Sequence, residues 1–230
     1  MHNSETPTLS VVLPTLNAAA RLEACLAALR AWPEALQLIV VDGGSHDDTV
    51  KIAHGAGATI LPTDKGRGQQ LARGGVAVTS QWVLFLHADT ILNDTWVEEV
   101  QRYMAEPDQA SKAAAFRFAL DDGSASARRI ERMVAWRCRV LGLPYGDQGL
   151  LIRKDLYDEI GGYRALPLME DVDLLRRIGR SHIHIFEARA VTSADRYRKN
   201  GWWARPSRNL FCLFLYVCGV PPRWIAKLYQ

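Results

Sequence analysis

The chain has 230 residues, 48% hydrophobic and 23% charged, which suits one α/β domain that buries roughly 70–75% of the unfolded surface without staples. A formal net charge of +3 is too small to indicate a nucleic-acid partner. The cysteines, Cys25, Cys138, Cys212 and Cys218, lie in apolar stretches without metal-type pair spacing, which predicts free thiols in a reducing, cytoplasmic setting and excludes a disulfide framework.

Residues 1–8 read as a short disordered lead, because Met1–Pro7 is polar and lacks the apolar run of a signal peptide. Leu9–Leu13 is an apolar run closed by Pro14, as expected of a buried parallel strand. Leu22, Cys25, Leu26 and Leu29 recur at helical spacing. Leu36–Val41 predicts a second strand, stopped by Asp42-Gly43-Gly44-Ser45, and a helix from about Asp47 to His54 ends at Gly55 and Gly57. Thr59–Leu61 is a third strand, followed by a Gly-rich basic loop, Asp64–Gly68, and a helix to about Val78. Trp82–Leu86 is a fourth strand, ending in His87-Ala88-Asp89. Further on come a helix over Thr95–Met104, a strand over Ala113–Phe118, a basic amphipathic helix over about Ser126–Leu141 and a strand over Leu150–Arg153.

The alternation predicts an α/β fold with a mainly parallel central sheet, flanked by helices and joined by right-handed crossovers. Ligands in such sheets bind beyond the carboxyl ends of the strands, where Thr15, Asp42 and Asp89 fall. Asp89 suits the oxygen-rich shell of Mg2+ or Mn2+, or caps the helix that follows. Asp42 could accept hydrogen bonds from a nucleoside, or hold its own turn. Arg67, among glycines at a helix start, suits a diphosphate; a solvated turn is the alternative.

Leu166-Pro167-Leu168-Met169-Glu170-Asp171-Val172-Asp173 puts three acids in four positions at a helix start. The helix dipole favours acids there, and a carboxylate in a cleft is also a natural general base. Asp147 and Gln148, in Pro144-Tyr145-Gly146-Asp147-Gln148-Gly149, face an acceptor or cap a turn. His182 and His184 alternate with isoleucines, which predicts one exposed face of an edge strand, with a metal pair as the other reading.

The order of Val11-Val12-Leu13-Pro14-Thr15-Leu16-Asn17, Ile39-Val40-Val41-Asp42-Gly43-Gly44-Ser45, Phe85-Leu86-His87-Ala88-Asp89 and Met169-Glu170-Asp171 resembles the family 2 glycosyltransferases of the GT-A fold, from Leu9 onward. The Leu-His-Ala-Asp, Pro-Tyr-Gly-Asp-Gln-Gly and Leu-Pro-Leu-Met-Glu-Asp motifs are similar to those of a small bacterial subgroup. The resemblance implies an inverting, Mg2+- or Mn2+-assisted sugar transfer from a nucleoside-diphosphate sugar, UDP foremost, to a hydroxyl acceptor. It places Pro14, Thr15, Asn17 and Asp42 around the donor nucleoside, and Arg67, His87, Asp89 and Arg196 around the diphosphate and metal. Asp89 stands for the last acid of the family's Asp-X-Asp metal motif. It implies Asp171 as base, with Glu170 orienting the base or the acceptor. Gly43 stands where many relatives have a second Asp, and His87-Ala88-Asp89 carries one carboxylate where relatives often have two. A non-catalytic binding protein on a degenerate scaffold and a sugar nucleotidyltransferase are the alternatives.

Residues 9–195 read as the transferase domain, and 196–230 as a helical C-terminal segment. That segment has no Asp or Glu, while Arg196, Arg198, Lys199, Arg205, Arg208, Arg223 and Lys227 alternate with aromatic residues. Its apolar core, Leu210–Val220, is shorter than the ~20 residues that span a bilayer. It is expected either to pack on the domain or to lie on an anionic membrane surface, which would suit a lipid-linked acceptor and the cytoplasmic membrane face.

Overall fold

A computed structural model describes residues 7–229, without the side chains of Arg196, Lys199, Asn200, Ala204 and Arg205. Most of the expected lead lies outside the described residues. Thr8, however, is already tied to the fold, its N–H donating to Ala35 O at 3.3 Å.

Eight strands form one sheet, in the order β3-β2-β1-β4-β7-β6-β8-β5. They are β1 (Leu9–Thr15), β2 (Leu36–Asp42), β3 (Thr59–Pro62), β4 (Trp82–Phe85), β5 (Ile91–Leu92), β6 (Ala113–Leu120), β7 (Leu150–Arg153) and β8 (Ile183–Thr192). β3, β2, β1 and β4 are parallel neighbours, as the helical crossovers require. β7 enters antiparallel between β4 and β6, while β8 runs parallel to β6. The sheet is mainly parallel, as expected, and departs from this at β7 and at β5, which pairs antiparallel with β8.

Alternation within the strands feeds two cores. Leu9, Val11 and Leu13, with Trp82 and Leu84, pack beneath α1 (Ala19–Leu29) and α4 (Trp96–Ala105). Val12, Ile39, Val41, Val83 and Phe85 face the other side, toward α3 (Arg67–Val76), α6 (Lys154–Glu159) and α7 (Glu170–Ile178). The short α2 (Thr49–Gly55) connects β2 to β3. A third cluster joins the end of β6 to α5 (Ala125–Leu141) and α8 (Asp195–Asn200). Two further helices, α9 (Ala204–Val217) and α10 (Pro222–Tyr229), complete the chain's helical C-terminal extension.

His182 falls in a turn before β8 and only His184 is in the strand, so the two imidazoles do not share a strand face. His184 stacks on Tyr103, with ring centroids 5.4 Å apart. Cys25, Cys138 and Cys212 are buried free thiols, and Cys218 is an exposed one.

Candidate active site

β1 and β2 end side by side, with Thr15 in register with Asp42. The Asp42 carboxylate accepts from Thr15 Oγ1 at 2.9 Å, Ser45 Oγ at 2.5 Å, and the N–H groups of Gly44 and Ser45 at 3.0 and 2.8 Å. Burial pushes its pKa up, but these hydrogen bonds outweigh that and hold it below the ordinary carboxylate value. Asn17, in the left-handed region at φ 49°, closes the same corner. Its N–H donates to Ser45 Oγ at 2.8 Å, and its Oδ1 accepts from His46 N at 2.9 Å.

Gln70 is buried beneath this corner and was not singled out from the sequence, where it reads as one polar residue of a helix. Its Nε2 bridges Thr15 O and Val41 O at 2.7 and 2.8 Å. A β-carbon on Gly43 would lie 3.2 Å from Gln70 Nε2 and 3.4 Å from Lys65 Cα. The glycine that stands in place of a second Asp therefore fits space that Gln70 narrows.

Arg67 is not in a loop. It opens α3 and turns toward the acids at the start of α7, its Nε donating to Glu170 Oε1 and its Nη2 3.5 Å from Asp171 Oδ2. Gly68 lets the two segments meet, since a β-carbon there would sit 2.5 Å from Leu166 O and 2.8 Å from Arg164 O. Glu170, Asp171 and Asp173 all lie in the buried first turn of α7. Asp173 is engaged by Arg177 at 2.7 Å and Arg164 at 3.2 Å, which gives it a holding role.

Asp171 stands apart from it. Its Oδ2 accepts from Gly146 N at 3.0 Å and its Oδ1 from the Tyr163 hydroxyl at 3.4 Å. Burial, with the charge of Asp171 beside it, pushes the Tyr163 phenol well above its usual value, so it stays protonated and donates. Burial and the Asp171 charge likewise raise the Glu170 carboxyl, against the pull of Arg67.

His87 completes this wall. Its Nε2 is buried with no hydrogen-bond partner in the protein, and burial, then the Arg67 charge, lowers its pKa and leaves the ring neutral. A β-carbon on Gly146 would meet His87 Nε2 at 2.6 Å and Asp171 Oδ2 at 2.8 Å. Gly146 is thus what lets the imidazole and the carboxylate approach one spot. The reversal at β7 brings this about, because β7 starts opposite Phe85 at the end of β4. Tyr145, Gly146, Tyr163 and Asp171 line a small recess here.

Gln148 turns inward, its Nε2 donating to Phe116 O at 2.9 Å and its Oε1 accepting from Arg137 Nη2 at 3.1 Å. It anchors the loop that presents Gly146. Asp147 keeps a buried Oδ1 without a partner. Pro14 is half-buried in β1 beside Val41. The side chain of Arg196 lies outside the described residues. Tyr163 and Gln70 carried no motif signal and are recognisable only by their contacts; Gly146 lies inside the Pro-Tyr-Gly-Asp-Gln-Gly motif, but its role shows only in the fold.

Among the described residues no group of three or more His, Cys, Asp or Glu could hold a metal ion by itself. A cation shared with phosphates needs only one or two protein ligands and takes the rest of its shell from the ligand. The half-buried Asp89 and the unpartnered Nε2 of His87 suit such a partial shell, and imidazole favours Mn2+ over Mg2+.

Residues 10–167 match the sequence model of glycosyl transferase family 2. A PGL/p-HBAD biosynthesis glycosyltransferase of Mycobacterium bovis is 39% identical over 94 residues, covering 37% of this chain and 37% of that relative. The match therefore spans little more than a third of the relative's length. Glucosyl-3-phosphoglycerate synthase from Mycobacterium tuberculosis, solved with Mn2+, UDP and glucosyl-3-phosphoglycerate, superposes with TM-score 0.60 at 21% identity, over 94% of this chain and 81% of that one. The mannosyltransferase PcManGT from Pyrobaculum calidifontis, solved with GDP-Man and Mn2+, gives TM-score 0.67 at 17% identity, over 90% and 63%. At such identities the structural likeness speaks for the fold.

Proposed function

The chain belongs to glycosyl transferase family 2 and has the GT-A fold, and on that premise we propose that it is an inverting, metal-assisted transferase. It moves a sugar from a nucleoside-diphosphate donor to a hydroxyl acceptor. The relatives solved with UDP or GDP-Man and Mn2+ support the donor class and the metal, with UDP as the first nucleotide to test. Residues 9–195 constitute the transferase domain in this reading.

One observation carries the assignment of the base. Asp171 presents a buried carboxylate at the mouth of α7, held by Gly146 N–H and the Tyr163 hydroxyl, and faces His87 across Gly146. Asp171 takes the acceptor proton as that hydroxyl bonds to the anomeric carbon. The bond to the diphosphate breaks on the opposite face, and configuration inverts without a covalent intermediate. Arg67, held by Glu170, supplies a positive charge next to the base, and stabilises charge on the leaving diphosphate in this reading. A divalent ion at Asp89 and His87 would neutralise charge developing on that diphosphate. Thr15, Asn17 and Asp42 form the corner that receives the nucleoside. Gln148 supports the acceptor side by anchoring the loop that also carries Asp147.

Asp171→Asn preserves the shape and removes the proton acceptor. Transfer should fall by roughly 10²–10⁴ while calorimetric affinity for the donor nucleotide stays within twofold or so. Transfer at the wild-type rate would remove Asp171 from the role of base.

A further inference from the structure

The C-terminal helices resolve into two different faces. The inner face of α9 packs on the domain: Cys212 and Leu213 are buried, and the Tyr216 hydroxyl reaches Asp173 Oδ1 on α7 at 3.4 Å. Its outer face does the reverse. Leu210, Phe211, Phe214 and Val217 follow helical spacing along one side and are 64%, 54%, 61% and 62% exposed. α10 repeats the arrangement, with Ile225 buried against the fold and Trp224 and Leu228 turned out. Isolated apolar residues on a surface need no explanation, but two consecutive helices that expose one side each do.

The cations are distributed around this apolar side. Lys227 Nζ lies 4.8 Å from the Trp224 ring centroid and the Arg223 guanidinium 6.0 Å, while Arg208 stacks over Tyr229 at 4.5 Å. No acidic residue occurs anywhere from 196 to 230. We propose that α9 and α10 form a docking face for an anionic phospholipid bilayer, with Phe211, Phe214, Trp224 and Leu228 entering the headgroup–acyl boundary and Arg208, Arg223 and Lys227 meeting lipid phosphates. Long basic side chains lie along apolar rings while their charge stays in the headgroup layer, and aromatic rings suit that depth. No helix among the described residues is long and apolar enough to cross a bilayer, so the contact is interfacial. A second copy fits the face poorly. An isologous contact would set the basic rim against itself with no acid from these helices to neutralise it.

The docking face stands independently of the sugar-transfer chemistry, and its test needs no substrate. Full-length protein is floated with vesicles of phosphatidylcholine alone and with vesicles containing one third phosphatidylglycerol. Recovery with the anionic vesicles should exceed recovery with the neutral ones by tenfold or more, and should fall as salt is raised. The exposed-residue variants F211S/F214S and R208E/R223E/K227E should both lose flotation with unchanged circular dichroism and melting temperature. Protein left at the bottom with both vesicle types overturns the proposal. So does flotation that neither variant weakens. A concentration-dependent dimer that F211S/F214S dissociates would assign the face to a second copy instead.

Discussion

Asp42 accepts hydrogen bonds from Thr15, Gly44 and Ser45, and they hold its pKa below the ordinary value despite burial. A carboxylate of depressed pKa stabilises the fold fully above its unfolded value, about 3.9, and that contribution disappears as pH falls through the folded one. Asp42→Asn should therefore cost about 1–3 kcal/mol at neutral pH and flatten the acid limb of stability below about pH 4. Thermal melts of both proteins between neutral and acid pH check this; parallel curves would count against the network. At this scale the sequence was partly informative. Asp42, Asp89, Glu170 and Asp171 stood out because acids beside apolar runs are unusual. Tyr163 and Gln70 did not, since a tyrosine or a helical glutamine gains its role only from what lies across the fold, and Gly146 stood in a motif without a role of its own.

α3 illustrates how an element is set by its neighbours. Three of its residues are buried glycines, and each marks a close approach: Gly68 to Leu166, Gly74 to Val12, Gly75 to Tyr157. Glycine costs about 1 kcal/mol in a helix interior, and the sequence reads Asp64–Gly68 as a Gly-rich loop ahead of the helix. Packing overrides the propensity, so the helix begins at Arg67, and its first side chain, though partly exposed, reaches the acids of α7. A β-carbon on Gly74 would lie 2.3 Å from Val12 Cγ1. Gly74→Ala should destabilise by about 1–3 kcal/mol through overpacking, lowering Tm by roughly 2–4 °C per kcal/mol. Val76→Ala, at an 84% exposed site on the same helix, should leave Tm nearly unchanged. Equal Tm for wild type and Gly74→Ala would show that the sheet gives way at this contact.

Across the whole molecule the first half was the more legible, because β1 to β4 alternate with helices and a parallel sheet admits few other arrangements. The reversal at β7 was not legible. Leu150–Arg153 is apolar in the same way whichever direction it runs, and its partner is set by pairing with β4. Yet that reversal carries the Gly146 loop to the end of β4 and lets His87 and Asp171 both approach Gly146. The C-terminal segment was legible as basic and aromatic, but its division into a packed and an exposed face depends on which side of α9 meets α7. The central claim is a nucleoside-diphosphate donor site that uses a divalent ion at Asp89. It is tested most directly by calorimetric titration with UDP, GDP and dTDP, each with and without Mn2+. The account predicts that one nucleotide, UDP foremost, binds in a Mn2+-dependent manner and that Asp89→Ala weakens it by roughly tenfold or more. Binding of none of the three, or binding indifferent to both Mn2+ and Asp89→Ala, would contradict it.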